Sequence, residues 1–352
     1  MKITFEQEKK LLKAMYMSVG MTESDADILA TVPTQSDFTG MESHGMSRAV
    51  LYVMGLRGGS MNAHAEFKVL SETESLAAMD GDDSVGIISM VKGYELLAEK
   101  AKKTGIAFGT GKGSSNIGCG NYYGWRAAKD NLIILACANT SPLQAPFGGA
   151  DPLIGSNPII CSFPSNSFPV TLDIATTLVA LGKIQNAQRN KTAIPDTWCL
   201  DKDGKPTTDP SKYYTNTPMA TYKGYGLAVM VDMFAAVLSG AAYGTDIGIA
   251  LKMQKERSGW AILLIDPTKF MPLEDFKARV DDYIRMMKES RKAEGVEEIF
   301  LPGELEFNEY HKRMNEGFEV EKSLEIMAKS VAIQCKLGTK DMTLQQIIDA
   351  LE

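Results

Sequence analysis

Between about residue 66 and residue 265, short apolar runs of strand length alternate with longer amphipathic stretches, and this alternation constrains the chain more than anything else in it. A sequence that switches repeatedly between those two periods folds as an α/β body around a parallel or mixed sheet. Its clearest unit is a helix from about Gly86 to Thr104, with Lys100, Lys102 and Lys103 in the last turn and Gly105 just beyond, then a strand at 106–108. A helix around 122–129 leads into a strand at 132–135, and further strands are expected at 159–161, 170–172 and 260–265. Helices are expected from about Thr176 and over 223–239.

The two ends read differently. Leu11, Leu12, Met15 and Val19 recur at spacings of three and four and stop at Gly20, while Thr22 and Asp25 resemble a capping box ahead of Ile28, Leu29 and Val32. The last fifty residues return to helices with polar surfaces. The expected layout is a helical N-terminal segment, residues 1–75, packing with residues 300–352 as a cap on an α/β domain at 76–299. A length of 352 residues suits either two domains or one interwoven α/β body.

Composition removes several function classes. With 37 Lys plus Arg against 44 Asp plus Glu, the net charge of -7 argues against nucleic acid and anionic membranes as partners. The five cysteines (Cys119, Cys137, Cys161, Cys199, Cys335) form no C-x-x-C pair and sit mostly in apolar runs, which fits buried free thiols in a reducing cytoplasm and no metal site. Glu6, Glu8, Lys9 and Lys10 fall where a signal peptide needs an apolar core. Residues 227–243 are the most apolar long stretch, but Asp232 interrupts them and they fall short of the roughly 20 residues that span a bilayer. They read as a buried helix.

Only three histidines exist, His44, His64 and His311. His44, Arg48 and Tyr52 are spaced i, i+4, i+8, which aligns them on one stripe if the stretch is helical, with Met46, Val50, Val53 and Met54 free to pack elsewhere. Imidazole donates protons near neutral pH and guanidinium grips a carboxylate in a planar fork, so the pair suits protonation of a carbonyl beside a carboxylate. On the stripe alone, a surface helix that happens to carry both residues is the reading to prefer. The segment GTGKGSSNIGCGNYYG is neither a G-x-G-x-x-G fingerprint nor a P-loop, since Lys112 is followed by Gly113. Its glycines still allow close backbone approach, and Asn116 could hold a substrate or an amide; an irregular loop is the plain alternative. In VTLDIATTLVALGKI, Asp173 precedes a helix whose first turn would hold Thr176 and Thr177, either a diphosphate site or ordinary capping. Lys223 lies at the mouth of a helix whose Leu227, Met230, Val231, Phe234 and Leu238 make an apolar stripe expected to face the core. A cation there opposes the helix dipole and invites an anion.

Taken together, SDFTGMESHGMSR, AMDGDDSVG, GSSNIGCGNYYG, NTSPLQAPFGG, LIGSNPI, LDIATTLVALGKI, TTDP, YKGYGLAVMVDM, SGAAYG and LPGE occur in the order found in the type 2 malate/L-lactate dehydrogenases, and the chain resembles that family over about residues 5 to 310. The resemblance implies a non-Rossmann, mixed-sheet, three-layer α/β body with 76–299 as its cofactor-binding domain. It implies a homodimer that interconverts a small 2-oxo acid and its 2-hydroxy acid with NAD or NADP. Related activities in such proteins include cyclic imino-acid reduction, and a cofactor-binding protein without turnover is a further alternative.

By the same resemblance Ser43, His44 and Arg48 match the S-H-G-x-x-x-R motif, with His44 as proton donor and Arg48 as carboxylate clamp. Tyr52 and Asn116 are expected beside the substrate. Leu172, Asp173, Ile174, Ala175, Thr176 and Thr177 match one nucleotide-binding segment, Tyr222, Lys223 and Gly224 a second, and Gly303, Glu304 and Leu305 a third; Asn139 is expected at the cofactor too. Two departures bear on substrate choice. Many relatives have histidine where this chain has Asn116, which leaves His44 as the imidazole available for the reaction, and Thr39 replaces the charged residue usual before Gly40.

Overall fold

Strand β1 (Lys2–Ile3) leads into helix α1 (Phe5–Met17), whose start is set by a capping box: Thr4 Oγ1 accepts from the Gln7 N–H and the Gln7 side chain accepts from the Thr4 N–H. Thr22 caps α2 (Glu23–Phe38) through the Asp25 N–H, as its spacing predicts, and α3 (Met46–Gly58) ends on the left-handed Gly59. The computed structural model describes residues 1–249 and 252–351.

Seven strands then build one mixed sheet: β2 (Lys68–Glu72), β3 (Leu76–Asp80), β4 (Ile106–Ser114), β5 (Ile133–Ala138), β6 (Ile159–Phe163), β7 (Val170–Ile174) and, far along the chain, β10 (Ser258–Ile265). Their order is β2-β3-β4-β10-β5-β6-β7, with β3–β4 parallel and the other pairs antiparallel. Helices α4 (Gly86–Thr104) and α5 (Asn121–Lys129) cover one face. Trp260, fully buried in β10, determines how closely α4 approaches. A Cβ at Gly93 of α4 would lie 2.1 Å from its ring and one at Gly111 of β4 would lie 2.3 Å from it, so both positions must lack one. Pairing with β10, from Ile265 opposite Ile106 to Ser258 opposite Ser114, carries β4 on to Ser114 through glycines that also read as an irregular loop.

Beyond the sheet, α6 (Leu181–Asn190), β8 (Cys199–Leu200) and β9 (Thr215–Asn216) form a small lobe around Val179, Ile184, Ala187, Ile194 and Cys199. Helix α7 (Tyr222–Asp232) continues as a π-helical turn over Met233–Val237 and lies on the second sheet face, completing three layers. Helix α8 (Leu273–Lys288) buries Ile284 against Phe168 and Leu301. The C-terminal elements α9 (Glu304–Glu316), β11 (Phe318–Glu319), α10 (Lys322–Gln334) and α11 (Leu344–Asp349) return to α1–α3, and β11 pairs with β1. One buried apolar cluster runs from Ile3 through Trp260 to Ile348, so the terminal helices and the sheet share a core.

Three expectations are corrected. The helix expected from Thr176 starts at Leu181, because the Thr176 N–H and hydroxyl both go to the Ser156 carbonyl and keep the chain extended. The stripe on α7 does not face the core: Val231 is buried, but Leu227, Met230, Phe234 and Leu238 are exposed, the last two at 50% and 58%. Residues 227–243 are thus not a buried helix, and among the described residues no helix is long and apolar enough to cross a membrane. The cysteines are all free, but Cys137 and Cys161 are only part-buried, on the sheet face that α7 covers incompletely.

Candidate active site

The SHG segment is not the start of a helix carrying all three stripe residues. Glu42–His44 is a single 3-10 turn and α3 begins at Met46, so His44 precedes the helix while Arg48 and Tyr52 lie one turn apart upon it. Gly45 makes the junction: a Cβ there would lie 1.9 Å from Asp37 Oδ1, and the next amide, Met46 N–H, donates to Asp37 Oδ2 at 2.6 Å. A side chain nine residues upstream therefore caps α3.

The Ser43 hydroxyl lies 2.9 Å from His44 Nδ1, which leaves Nε2 as the nitrogen available to a substrate. A hydroxyl both donates and accepts, so Ser43 accommodates either tautomer. Burial, with the neighbouring Arg48 charge second, pushes the His44 pKa down to about 4. Among the described residues no carboxylate lies within ion-pair distance of Arg48. One turn along α3, the Tyr52 hydroxyl donates to Asn116 Oδ1 at 2.6 Å, and the Gly118 N–H donates to the same oxygen at 3.0 Å. Tyr52 is buried, which raises its pKa, so it works as a neutral strut that orients Asn116 rather than as an acid. With Oδ1 doubly engaged, Nδ2 is the donor Asn116 has left.

Glu256, just before β10, also faces this group. Burial pushes its carboxyl up to about 7 while the Arg48 charge pulls it down. Nothing in KERSGW marks it in the sequence, since it belongs to no motif and reaches Arg48 only through the sheet topology. A nearby cleft of about 310 Å³, lined by Asp80, Asp82, Asp83, Lys112 and Arg257, has its charges largely satisfied internally, by Lys112–Asp80 and by Lys255 and Arg257 on Asp83.

The three segments expected to bind the nucleotide converge on β7. Leu172, Asp173 and Ile174 are in the strand and Ala175 follows it. Gly303, at φ +83°, packs so closely that a Cβ would lie 2.8 Å from the Thr171 carbonyl, and the Thr171 N–H donates to the Pro302 carbonyl at 3.0 Å. At the other end, the Met219 N–H donates to the Thr176 carbonyl at 2.9 Å and Thr177 bridges to Pro218, which brings in the loop before Tyr222, Lys223 and Gly224. Lys223 is exposed at the first turn of α7, and the Gln144 amide is fully buried with neither polar atom partnered among the described residues.

Several expected contacts have structural partners instead. Asp173 caps α5 rather than a helix of its own, accepting from the Asn121 N–H at 2.9 Å, and burial pushes its pKa up to about 6. Asn139 bridges the Ala242 carbonyl and the Gly259 N–H, so both ends of its side chain are used. Glu304 pairs with Lys288 and accepts from the Leu301 N–H, while Leu305 is exposed.

A family model described as malate/L-lactate dehydrogenase matches residues 3–326. The chain belongs to the malate/L-lactate dehydrogenase family. It is 37% identical over 339 residues to the L-sulfolactate dehydrogenase of Methanocaldococcus jannaschii, covering 96% of this chain and 98% of that one. The solved structure of the sulfolactate dehydrogenase from that organism superposes with a TM-score of 0.89, covering 96% of this chain and 98% of that chain at 36% identity. The ureidoglycolate dehydrogenase (NAD(+)) of Escherichia coli strain K12 is 29% identical over 323 residues, 91% of this chain and 93% of the relative. A (2R)-3-sulfolactate dehydrogenase (NADP(+)) of Chromohalobacter salexigens is 29% identical over 273 residues, 76% of this chain and 82% of the relative. Both nicotinamide cofactors thus appear in the names of relatives.

Proposed function

We propose that this family member is an NAD(P)-dependent dehydrogenase that interconverts a small 2-hydroxy acid, of the malate or sulfolactate kind, and its 2-oxo acid. The observation that carries the reading is the placement of His44 Nε2, the unpaired Arg48 guanidinium and the Tyr52-braced Asn116 amide within one group. Arg48 grips the carboxylate through its fork, Asn116 Nδ2 donates to the substrate, and His44 exchanges the proton of the hydroxyl or carbonyl oxygen. Without an anion the Arg48 charge opposes protonation of His44, so the neutral ring is ready to accept a proton from a hydroxy acid. A carboxylate docked on Arg48 offsets that charge and brings a second anion near the ring, so substrate binding shifts His44 toward the imidazolium that 2-oxo acid reduction needs, against the burial that holds the ring neutral.

The residues along β7 fit a nicotinamide dinucleotide. The strand separates its Gly303 contact from its Met219 contact by five residues, roughly 16 Å of extended chain, and the exposed Lys223 offers a cation to a diphosphate. Gly224 and Gly303 are positions where a side chain would push the cofactor-facing backbone apart. When bound, the nicotinamide supplies or takes up the hydride at the substrate carbon; the protein holds the acid, orients it and moves the proton. Thr176 acts through its backbone position, since its hydroxyl is used internally.

The protein works as a homodimer in a reducing cytoplasm. The exposed residues Leu227, Met230, Phe234 and Leu238, continuous with Phe108 through its edge contact with Phe234, make a contiguous apolar face open to water, the kind of surface a subunit partner covers. The assay that tests the activity follows nicotinamide absorbance with sulfopyruvate, oxaloacetate, pyruvate and a cyclic imino acid, each with NADH and NADPH. Turnover of a 2-oxo acid supports the reading; turnover of the imine alone, or none with NADH bound, contradicts it.

A further inference from the structure

Beneath the turn that carries His44, Glu8 of α1 and Asp37 of α2 bring two carboxyl groups together with no exposed surface. Three of their four oxygens, both of Glu8 and Oδ1 of Asp37, accept from no N–H or O–H of the described residues; the fourth accepts from the Met46 N–H. Two carboxylates in that position would be two buried like charges with unsatisfied oxygens, a state that buried acids avoid by keeping a proton. The two groups are within hydrogen-bonding reach of each other, so one proton between them satisfies the pair and leaves one negative charge.

The surroundings suit a single charge. Arg313 of α9 donates to the Asp37 carbonyl at 2.6 Å, and its own charge is divided between Glu42 of the 3-10 turn at 2.9 Å and Glu309 of α9 at 2.6 Å. Tyr16 of α1, buried and un-ionised, is a further titratable neighbour of Glu8. Burial pushes both carboxyls up, and Asp37, which accepts from Met46 and from Glu8, is the member that keeps the charge.

We propose that Glu8 and Asp37 share one proton and act together as positioning residues, holding the Ser43–His44–Gly45 turn where His44 can exchange its proton with substrate. The proposal rests on the reading of His44 given above. Its lever is contact: Asp37 abuts Gly45 so closely that no Cβ fits between them, and it caps the helix that starts at the next residue. Loss of the shared proton at high pH sets two buried anions against each other, displaces Asp37, and moves the turn. The β7 segments lie on other elements, so cofactor binding does not follow.

The test uses the full chain and two readouts. Infrared difference spectra, wild type minus Glu8→Gln at neutral pH, are expected to show the C=O band of a protonated carboxyl beyond what Glu256 and Asp173 contribute to both proteins, and that difference band is lost on alkaline titration in step with kcat. Glu8→Gln keeps a donor toward Asp37 but has no proton to lose, so its alkaline kcat limb moves up by about one pH unit or more. Asp37→Ala is expected to lower kcat about tenfold or more with little change in NADH affinity. Absence of that difference band, or a Glu8→Gln profile that coincides with the wild type, overturns the proposal even if Asp37→Ala does not fold. If His44→Ala leaves turnover intact while the difference band is present, the catalytic reading has failed and the proton pair has not.

Discussion

The proposed reaction turns on which protonation state His44 holds before substrate arrives. Its pKa of about 4 lies below the ordinary imidazole value, so the base needed for oxidation is present at neutral pH and is lost only as pH falls through the lower value. The acid limb of kcat/KM for the hydroxy acid is therefore expected near pH 4, read from a pH–rate profile; a limb near the ordinary value contradicts it. Arg48→Lys keeps the charge but loses the fork, and a raised KM for the acid with a smaller change in kcat is expected. Tyr52→Phe strips the hydroxyl that braces Asn116, at a cost of about 1–3 kcal/mol in stability and a weaker hold on substrate, measurable by denaturation and by KM. Ser43, His44 and Arg48 were legible as a motif because their spacing is local. The Tyr52–Asn116 bond spans 64 residues and Glu256 arrives just ahead of the central strand β10, about two hundred residues after Arg48, so neither has any sequence-local signal.

At the scale of elements, local chemistry was legible wherever one residue decides an end. Gly105 in the left-handed region closes α4, and Thr22 opens α2. Thr176 misled because a threonine ahead of an apolar run looks like a cap, whereas its N–H is claimed by Ser156 across the sheet edge. The α7 stripe misled for another reason: periodicity reports which side of a helix is apolar and says nothing of what covers it. Gly303→Ala tests the element that ties α9 to β7. A side chain at φ +83° and 2.8 Å from the Thr171 carbonyl costs about 2 kcal/mol or more, and a lower Tm together with weaker NADH binding is expected. Unchanged NADH affinity in a folded variant would detach the 303–305 segment from the cofactor site.

For the whole molecule, the mixed sheet with α4 and α5 on one face and α7 on the other was readable as an α/β alternation, but not its strand order. β10 is inserted between β4 and β5 by a segment more than a hundred residues later in the chain, and no periodicity encodes that. The open apolar face over α7 belongs to this scale. Phe234→Glu at its centre is expected to convert a dimer to a monomer in sedimentation velocity, and a wild type that sediments as a monomer contradicts the pairing of subunits. The role of His44 is tested by single-turnover reduction of a 2-oxo acid by NADH in wild type and His44→Ala, alongside NADH affinity by fluorescence. The His44→Ala rate is expected to fall by about a hundred- to ten-thousand-fold with affinity nearly unchanged; a rate equal to the wild type would remove His44 from the reaction.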